Sequence, residues 1–112
     1  MVVKKQLQIL SILEKMKKLN ELMVITMEEC GELVQACSKS IRRGEYKNDK
    51  IVEEVGDVYC MIELMIENEL ITWDQLLERA DVKRSKLKKW SKLIDDESEE
   101  RRLSYHPLRR GH

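Results

Sequence analysis

Apolar residues recur along most of the chain at the three- and four-residue spacing of an amphipathic helix. The pattern predicts four helices, covering about 3–19, 21–43, 49–68 and 72–94. In the first, leucines and a methionine recur at every third position, and Asn20 is expected to break the helix before the second begins. Gly44 follows the second helix at the position where glycine most often ends one.

Polar residues at the predicted helix starts support these boundaries. Asn48 or Asp49 can cap the third helix, and Thr72 with Gln75 three residues later forms a capping-box pattern for the fourth. The segment 95–112 shows no apolar periodicity, so we expect it to be a charged, mobile tail. The sequence therefore predicts one all-α domain over 1–94, followed by that tail.

Acidic residues interrupt the apolar faces of the second and third predicted helices. At the helical step of roughly 100° per residue, Glu29 and Glu32 fall inside or beside the apolar arc of the second helix, whereas Glu28 falls outside it. Glu54 and Asp57 lie at the shoulder of the apolar face of the third helix. Two acidic pairs, each with i,i+3 spacing, are therefore expected to point at one packing interface.

Carboxylates that converge in this way are costly without a counter-charge. Desolvation penalises each unpaired carboxylate, and neighbouring carboxylates repel one another and take up protons. A divalent cation removes both costs, and an all-oxygen ligand set suits Mg²⁺ or Mn²⁺, and also Ca²⁺, better than Zn²⁺. The other interpretation is that the helix phases are off by one residue and the acids are solvated.

The composition suits a helical domain with a charged exterior. Hydrophobic residues make up 42% of the chain and charged residues 38%, with no Phe and one Pro. The net charge is zero, but segment 28–69 has eleven Asp/Glu against five Lys/Arg, and segment 79–92 has seven Lys/Arg against one Asp. An acidic segment facing a basic helix would suit a metal with a small polyanionic ligand, although ordinary surface charge explains the same imbalance.

Neither a membrane span nor a secreted disulfide scaffold is expected. No apolar run approaches the ~18 residues of a transmembrane helix, and the N-terminus lacks a signal-peptide pattern, so a cytoplasmic location is predicted. The three cysteines include no C-x-x-C pair, which argues against a thiolate zinc site. We expect Cys30 and Cys37, which lie seven residues apart on one helix face, to be small buried hydrophobic residues.

The sequence EECGE at 28–32, followed by EEVGD at 53–57, resembles the E-x-x-E … E-x-x-D signature of the MazG-like, all-α nucleoside triphosphate pyrophosphohydrolases. The resemblance covers about 20–94 and is similar to the compact, single-motif members. It implies a four-helix MazG-like bundle that completes its core by oligomerisation, as a dimer or tetramer. It also implies Mg²⁺-dependent cleavage of NTP or dNTP between the α and β phosphates, which gives the monophosphate and pyrophosphate.

The resemblance also implies roles for individual residues. Carried over by motif, the Mg²⁺ ligands are Glu29, Glu32, Glu54 and Asp57. Glu28 and Glu53, the first acids of the two doublets, are catalytic candidates that could orient the attacking water. The basic residues match the family only loosely. From their positions in the sequence, the candidates for binding the substrate are Lys39, Arg43, Lys83, Lys86 and Trp73, and surface charge or packing also explains each of them.

Two other functions stay open on the sequence. A non-catalytic oligomerisation or adaptor module needs only amphipathic helices, and it would pair the inward acids with Lys or Arg without any metal. Nucleic-acid binding through KRSKLKKW at 83–90 is a third reading, but the chain is neutral overall and lacks helix-turn-helix spacing. The expected partners are therefore a nucleoside triphosphate and further copies of the chain, with no nucleic acid and no membrane.

Overall fold

The computed structural model describes residues 2–105, and the end of the predicted tail, 106–112, lies outside them. The helices in this range are α1 (Val2–Arg43), α2 (Asp49–Glu67), α3 (Trp73–Trp90) and α4 (Asp96–Tyr105). No strand occurs in the same range, so the predicted all-α class is confirmed. One compact unit ends at Leu70 and a second begins at Ile71.

Helix α1 is a single helix of 42 residues, and the predicted break at Asn20 is wrong. Asparagine is only a moderately poor helix former, and it costs less than 1 kcal/mol, roughly, relative to alanine. Its neighbours include the good helix formers Lys18, Leu19, Glu21 and Leu22, and no glycine or proline precedes Gly31. The helix therefore continues through Asn20, and the first two predicted helices are one.

The end of α1 is closed by a Schellman motif at Gly44. The Gly44 N–H donates to the carbonyl of Ile41 at 3.3 Å, and the Glu45 N–H donates to the carbonyl of Ser40 at 3.1 Å. Gly44 has a φ of +65°, in the left-handed region that glycine adopts without steric cost. The predicted helix end is therefore confirmed, together with its physical reason.

Asn48 fixes the turn between α1 and α2. Its side-chain oxygen accepts a hydrogen bond from the N–H of Ile51 at 3.0 Å, which is the N-cap interaction that the sequence predicts. Its side-chain nitrogen donates to the hydroxyl of Ser40 at 3.1 Å and to the carbonyl of Glu45 at 2.8 Å. One side chain thus ties the last turn of α1 to the first turn of α2.

The second unit contains α3 and α4. Thr72 and Gln75 exchange the two hydrogen bonds of a capping box, at 3.0 and 3.1 Å, as predicted. Asp95 and Ser98 form the same kind of reciprocal cap before α4, at 2.7 and 2.9 Å. The segment that was expected to be an aperiodic tail therefore contains a helix, whereas its mobility and the domain limit at 94 stay predictions.

Charge pairs explain why α4 forms without an apolar stripe. Arg84 contacts Glu99 at 3.4 Å, Lys88 contacts Asp96 at 3.9 Å, and Arg102 pairs with Asp81. Such pairs each contribute only about 0.2–1 kcal/mol when they are exposed, so α4 is held by several weak contacts.

Few side chains are buried in the first unit. Among the described residues, the buried hydrophobic side chains are Leu22, Ala36 and Met61. All three cysteines are exposed, so the predicted burial of Cys30 and Cys37 is wrong for the described residues. Within 2–105, no helix has both the length and the apolar character that crossing a membrane requires.

Candidate metal centre

Three of the four predicted metal ligands come together between α1 and α2. One carboxylate oxygen from each of Glu29, Glu54 and Asp57 lies within 4.8 Å of the other two. Glu54 and Asp57 lie one turn apart on α2, and Glu29 reaches them from α1. Because these two helices pack as a hairpin, Glu29 of α1 meets the acid pair of α2 at one level of the interface.

Glu54 is the most buried member of this acidic cluster. Its side chain is only 3% exposed. One carboxylate oxygen, Oε1, forms an ion pair with the ammonium of Lys50 at 2.9 Å, and Lys50 lies one turn earlier on α2. The other, Oε2, is buried without any hydrogen-bond partner among the described residues. A buried carboxylate oxygen without a partner carries a substantial desolvation cost, which a cation at that oxygen would offset.

The electrostatics of Glu29 reflect its three acidic neighbours. Partial burial raises the pKa of Glu29 above its ordinary value of 4.5, and the negative charges of Asp57, Glu54 and Glu32 raise it further. A hydrogen bond with Asp57 acts in the same direction. Repulsion between like charges raises a carboxyl pKa, and a bound divalent cation would reduce that repulsion.

The remaining acidic candidates lie at the edge of this cluster. Glu32 is exposed on α1 and is not one of the three gathered acids, although its charge acts on Glu29. Glu28 is exposed, as the helical wheel predicts. Glu53 is also exposed, and it contacts the ammonium of Lys50 at 3.3 Å.

Lys50 is a residue that sequence reasoning missed. Its i,i+3 and i,i+4 spacing to Glu53 and Glu54 is the spacing at which helical side chains form ion pairs, so the signal was present. The predicted substrate-binding residues Lys39 and Arg43 are exposed on α1 and share a surface depression with Lys50.

The other predicted substrate-binding residues belong to the second unit. The ammonium of Lys83 lies 5.5 Å from the ring centre of Trp90, which is a cation–π contact. Lys86 is exposed on α3, and Trp73 is half-buried at the start of the same helix. Their roles in binding a substrate stay predictions.

The acidic motifs are the basis for any assignment of this chain. No protein-family model, curated protein or solved structure matches it. The resemblance to the MazG-like enzymes therefore rests on the two motifs, EECGE and EEVGD, and on the cluster that their side chains form.

The residues present fit a hard divalent cation. The donor set is carboxylate oxygen, which Mg²⁺, Mn²⁺ and Ca²⁺ prefer, and Glu54 Oε2 has no hydrogen-bond partner among the described residues. Lys50 neutralises part of the charge, but it approaches from the Oε1 side of Glu54. In the alternative without a metal, basic side chains would pair with all the acids. Among the described residues, such a pair is made by one oxygen of the cluster, Glu54 Oε1.

Proposed function

We propose that the chain is a Mg²⁺-dependent nucleoside triphosphate pyrophosphohydrolase, which cleaves NTP or dNTP between the α and β phosphates. The observation that carries this proposal is the gathering of Glu29, Glu54 and Asp57, with the unpartnered oxygen of buried Glu54. These residues come from the two motifs that resemble the MazG-like signature. Mn²⁺ would satisfy the same ligand set.

The proposed chemistry assigns a task to each acidic residue. Glu29, Glu54 and Asp57 would hold the cation, with Glu32 completing the set from the next turn of α1. When bound, Mg²⁺ supplies charge neutralisation and polarisation at the phosphate. Glu28 and Glu53 are exposed beside the cluster, where a carboxylate can accept a proton from water that attacks the α phosphate. Positioning and charge stabilisation account for most of the catalysis in such reactions.

We further propose that the protein completes its core by oligomerisation, as a dimer or tetramer. Every residue from 3 to 18 of α1 is exposed, including the leucines of its three-residue repeat. An isolated helical segment of this length is marginal in water, so its stability depends on packing against another surface. A second copy supplies a complementary apolar stripe by symmetry.

The direct test of the enzymatic proposal is a pyrophosphate-release assay with Mg²⁺ over a panel of NTPs and dNTPs. We expect at least one nucleotide to give monophosphate and pyrophosphate in equal amounts, and EDTA to stop the reaction. Glu54→Gln and Asp57→Asn should each abolish turnover while the helical circular dichroism signal is retained.

A matched control comes from the same helix. Glu63 lies on α2 and is exposed, and it is not one of the gathered acids. Glu63→Gln makes the same chemical change as Glu54→Gln and should preserve turnover. No pyrophosphate release from any nucleotide, or equal activity in Glu54→Gln and the unchanged protein, would rule out the assignment.

The exposed apolar surface favours a second candidate function, a non-catalytic oligomerisation or adaptor module. Apolar side chains are exposed on both helices of the hairpin, for example Val34 and Ile41 on α1 and Val52 on α2. This candidate predicts the same oligomer with no metal dependence. Thermal unfolding with Mg²⁺ and with EDTA distinguishes the two, because only a metal-binding protein gains stability from the cation.

A further inference from the structure

A surface depression lies at the end of the α1–α2 hairpin where the turn joins the two helices. A depression of about 350 Å³ is formed there by the last turns of α1 and the first turn of α2. Its cationic side chains are Lys39, Arg43 and Lys50, and Glu45 is its one acid. With three cations against one carboxylate, the lining of the depression carries a net positive charge.

Hydrogen bonds hold the floor of the depression together. Ser40 is buried, and its hydroxyl accepts a hydrogen bond from Asn48. Asn48 is held in turn by its N-cap interaction with Ile51 and its contact with the carbonyl of Glu45. The cationic side chains therefore project from a fixed backbone, so part of the cost of ordering a binding site is already met.

Among the described residues, two of the three cations have no ion-pair partner. No carboxylate among the described residues lies within ion-pair distance of Lys39 or Arg43, although Glu45 belongs to the same depression. The ends of α1 and α2 do not supply the attraction, because a negative helix C-terminus and a positive helix N-terminus meet here and offset each other. The positive potential comes from the side chains themselves.

Lys50 connects this depression to the acidic cluster. Its ammonium lies 2.9 Å from Glu54 Oε1, and Lys50 also lines the depression. An anionic group in the depression would therefore lie beside the proposed metal ligands. The acidic cluster and the basic depression thus lie side by side. A phosphoanhydride chain matches this arrangement, because one end can bind a divalent cation and the other end basic side chains.

We infer that the depression lined by Lys39, Arg43 and Lys50 binds the terminal phosphates of the nucleoside triphosphate, the part that leaves as pyrophosphate. This inference rests on the proposed function, because it takes the α phosphate to lie at the acidic cluster. Arg43 offers two N–H donors to phosphate oxygens, and Lys39 lies one turn away on the same face of α1. Lys50 contacts both the acids and the leaving group.

The test compares two neighbouring arginines. Arg43 lines the depression, whereas Arg42, the preceding residue in the same last turn, lines a neighbouring depression that shares only Lys39 with the first. Arg42→Gln and Arg43→Gln remove the same charge from the same helix end. Circular dichroism and thermal unfolding first establish that both variants fold.

Calorimetric titration with inorganic tripolyphosphate and with an α,β-methylene nucleoside triphosphate, both with Mg²⁺, then measures binding. We expect Arg43→Gln and Lys39→Gln to weaken both ligands by about tenfold each, as the loss of a charge-assisted phosphate contact does. Arg42→Gln should leave both affinities unchanged. Arg43→Lys should recover part of the loss, because it restores the charge without the two-pronged donor.

Three outcomes overturn the inference. They are equal effects of the two arginine variants, no binding of tripolyphosphate to the unchanged protein, and weakening of tripolyphosphate binding without weakening of nucleotide binding. A fourth result, tighter binding of single-stranded DNA than of tripolyphosphate in the same titration, would also overturn it and assign the depression to nucleic acid. Pyrophosphate release by the unchanged protein is measured separately, so failure of the subsite with turnover intact is distinct from failure of the enzymatic proposal.

Discussion

At the scale of single residues, Glu54 is the side chain whose environment is hardest to explain without a ligand. It is buried, and the exposed ammonium of Lys50 satisfies only one of its two oxygens. Buried carboxylates normally have hydrogen-bond partners for both oxygens or lose their charge. Its neighbours Glu29 and Asp57 add further negative charge, so a cation is a partner that would fit.

The titration of Glu29 gives a prediction for the metal-free protein. Its pKa in the folded chain is raised above the ordinary value of 4.5, so between pH 4.5 and the raised pKa the folded chain binds more protons than the unfolded chain. The free energy of unfolding therefore falls as the pH rises through this window. Urea unfolding in EDTA at a series of pH values should show this fall, and Glu29→Gln should reduce it.

The same measurement has a contradicting result. If the free energy of unfolding changes with pH equally in Glu29→Gln and in the unchanged protein, the neighbouring carboxylates do not raise the pKa of Glu29. Adding Mg²⁺ should oppose the fall, because a bound cation stabilises the ionised carboxylates.

At the scale of helices, the sequence predicted those features that depend on neighbouring residues. Gly44, the Asn48 cap and the Thr72–Gln75 capping box are local, and the structure contains each of them. The break at Asn20 was wrong because a single asparagine does not stop a helix. Helix α4 was missed because charge pairs with α3 stabilise it, and apolar periodicity does not report such pairs.

For the candidate site too, the sequence predicted the features that depend on spacing within one helix and missed those that depend on the packing of α1 against α2. The helical wheel placed Glu29, Glu54 and Asp57 near the interface because i,i+3 spacing fixes their faces on each helix. It did not separate Glu32 from them, because that distinction depends on how α1 and α2 cross. The pairing of Lys50 with Glu54 and the depression beside it depend on the turn at 44–48, which periodicity does not describe.

The end of α2 provides a test of helix energetics. Glu69 has a φ of +61°, and its N–H donates to the carbonyl of Ile66 at 3.0 Å, while the Leu70 N–H donates to the carbonyl of Met65 at 2.9 Å. Glutamate pays a steric cost in this left-handed position and glycine does not. Glu69→Gly should therefore raise the free energy of unfolding by about 1 kcal/mol.

Urea unfolding measures this change, and Glu63→Gly is the control. Glu63 is exposed in the interior of α2, where glycine should lower the free energy of unfolding by about 1 kcal/mol. Destabilisation by both substitutions would contradict the conformational assignment at Glu69.

At the scale of the whole molecule, the described residues leave much apolar surface exposed. Leu22, Ala36 and Met61 are the buried hydrophobic residues within the described range, whereas Leu10 is 55% exposed. Oligomerisation through the exposed leucines of α1 would bury this surface, at about 1.5–3 kcal/mol for each leucine that becomes fully buried.

Sedimentation velocity tests this proposal. The unchanged protein should sediment as a dimer or tetramer, and Leu10→Gln with Leu13→Gln should shift it toward smaller species and reduce its helix content. Glu14→Gln with Lys15→Gln alters the adjacent pair of exposed charged positions and should not change the oligomer. A monomer in the unchanged protein would contradict the account at this scale.

The central claim, that the acidic cluster binds a divalent cation, is tested most directly by calorimetric titration with Mn²⁺. The unchanged protein and Glu63→Gln should both give saturable binding, and Glu54→Gln should lose it. Equal binding in all three proteins, or none in the unchanged protein, would contradict the claim.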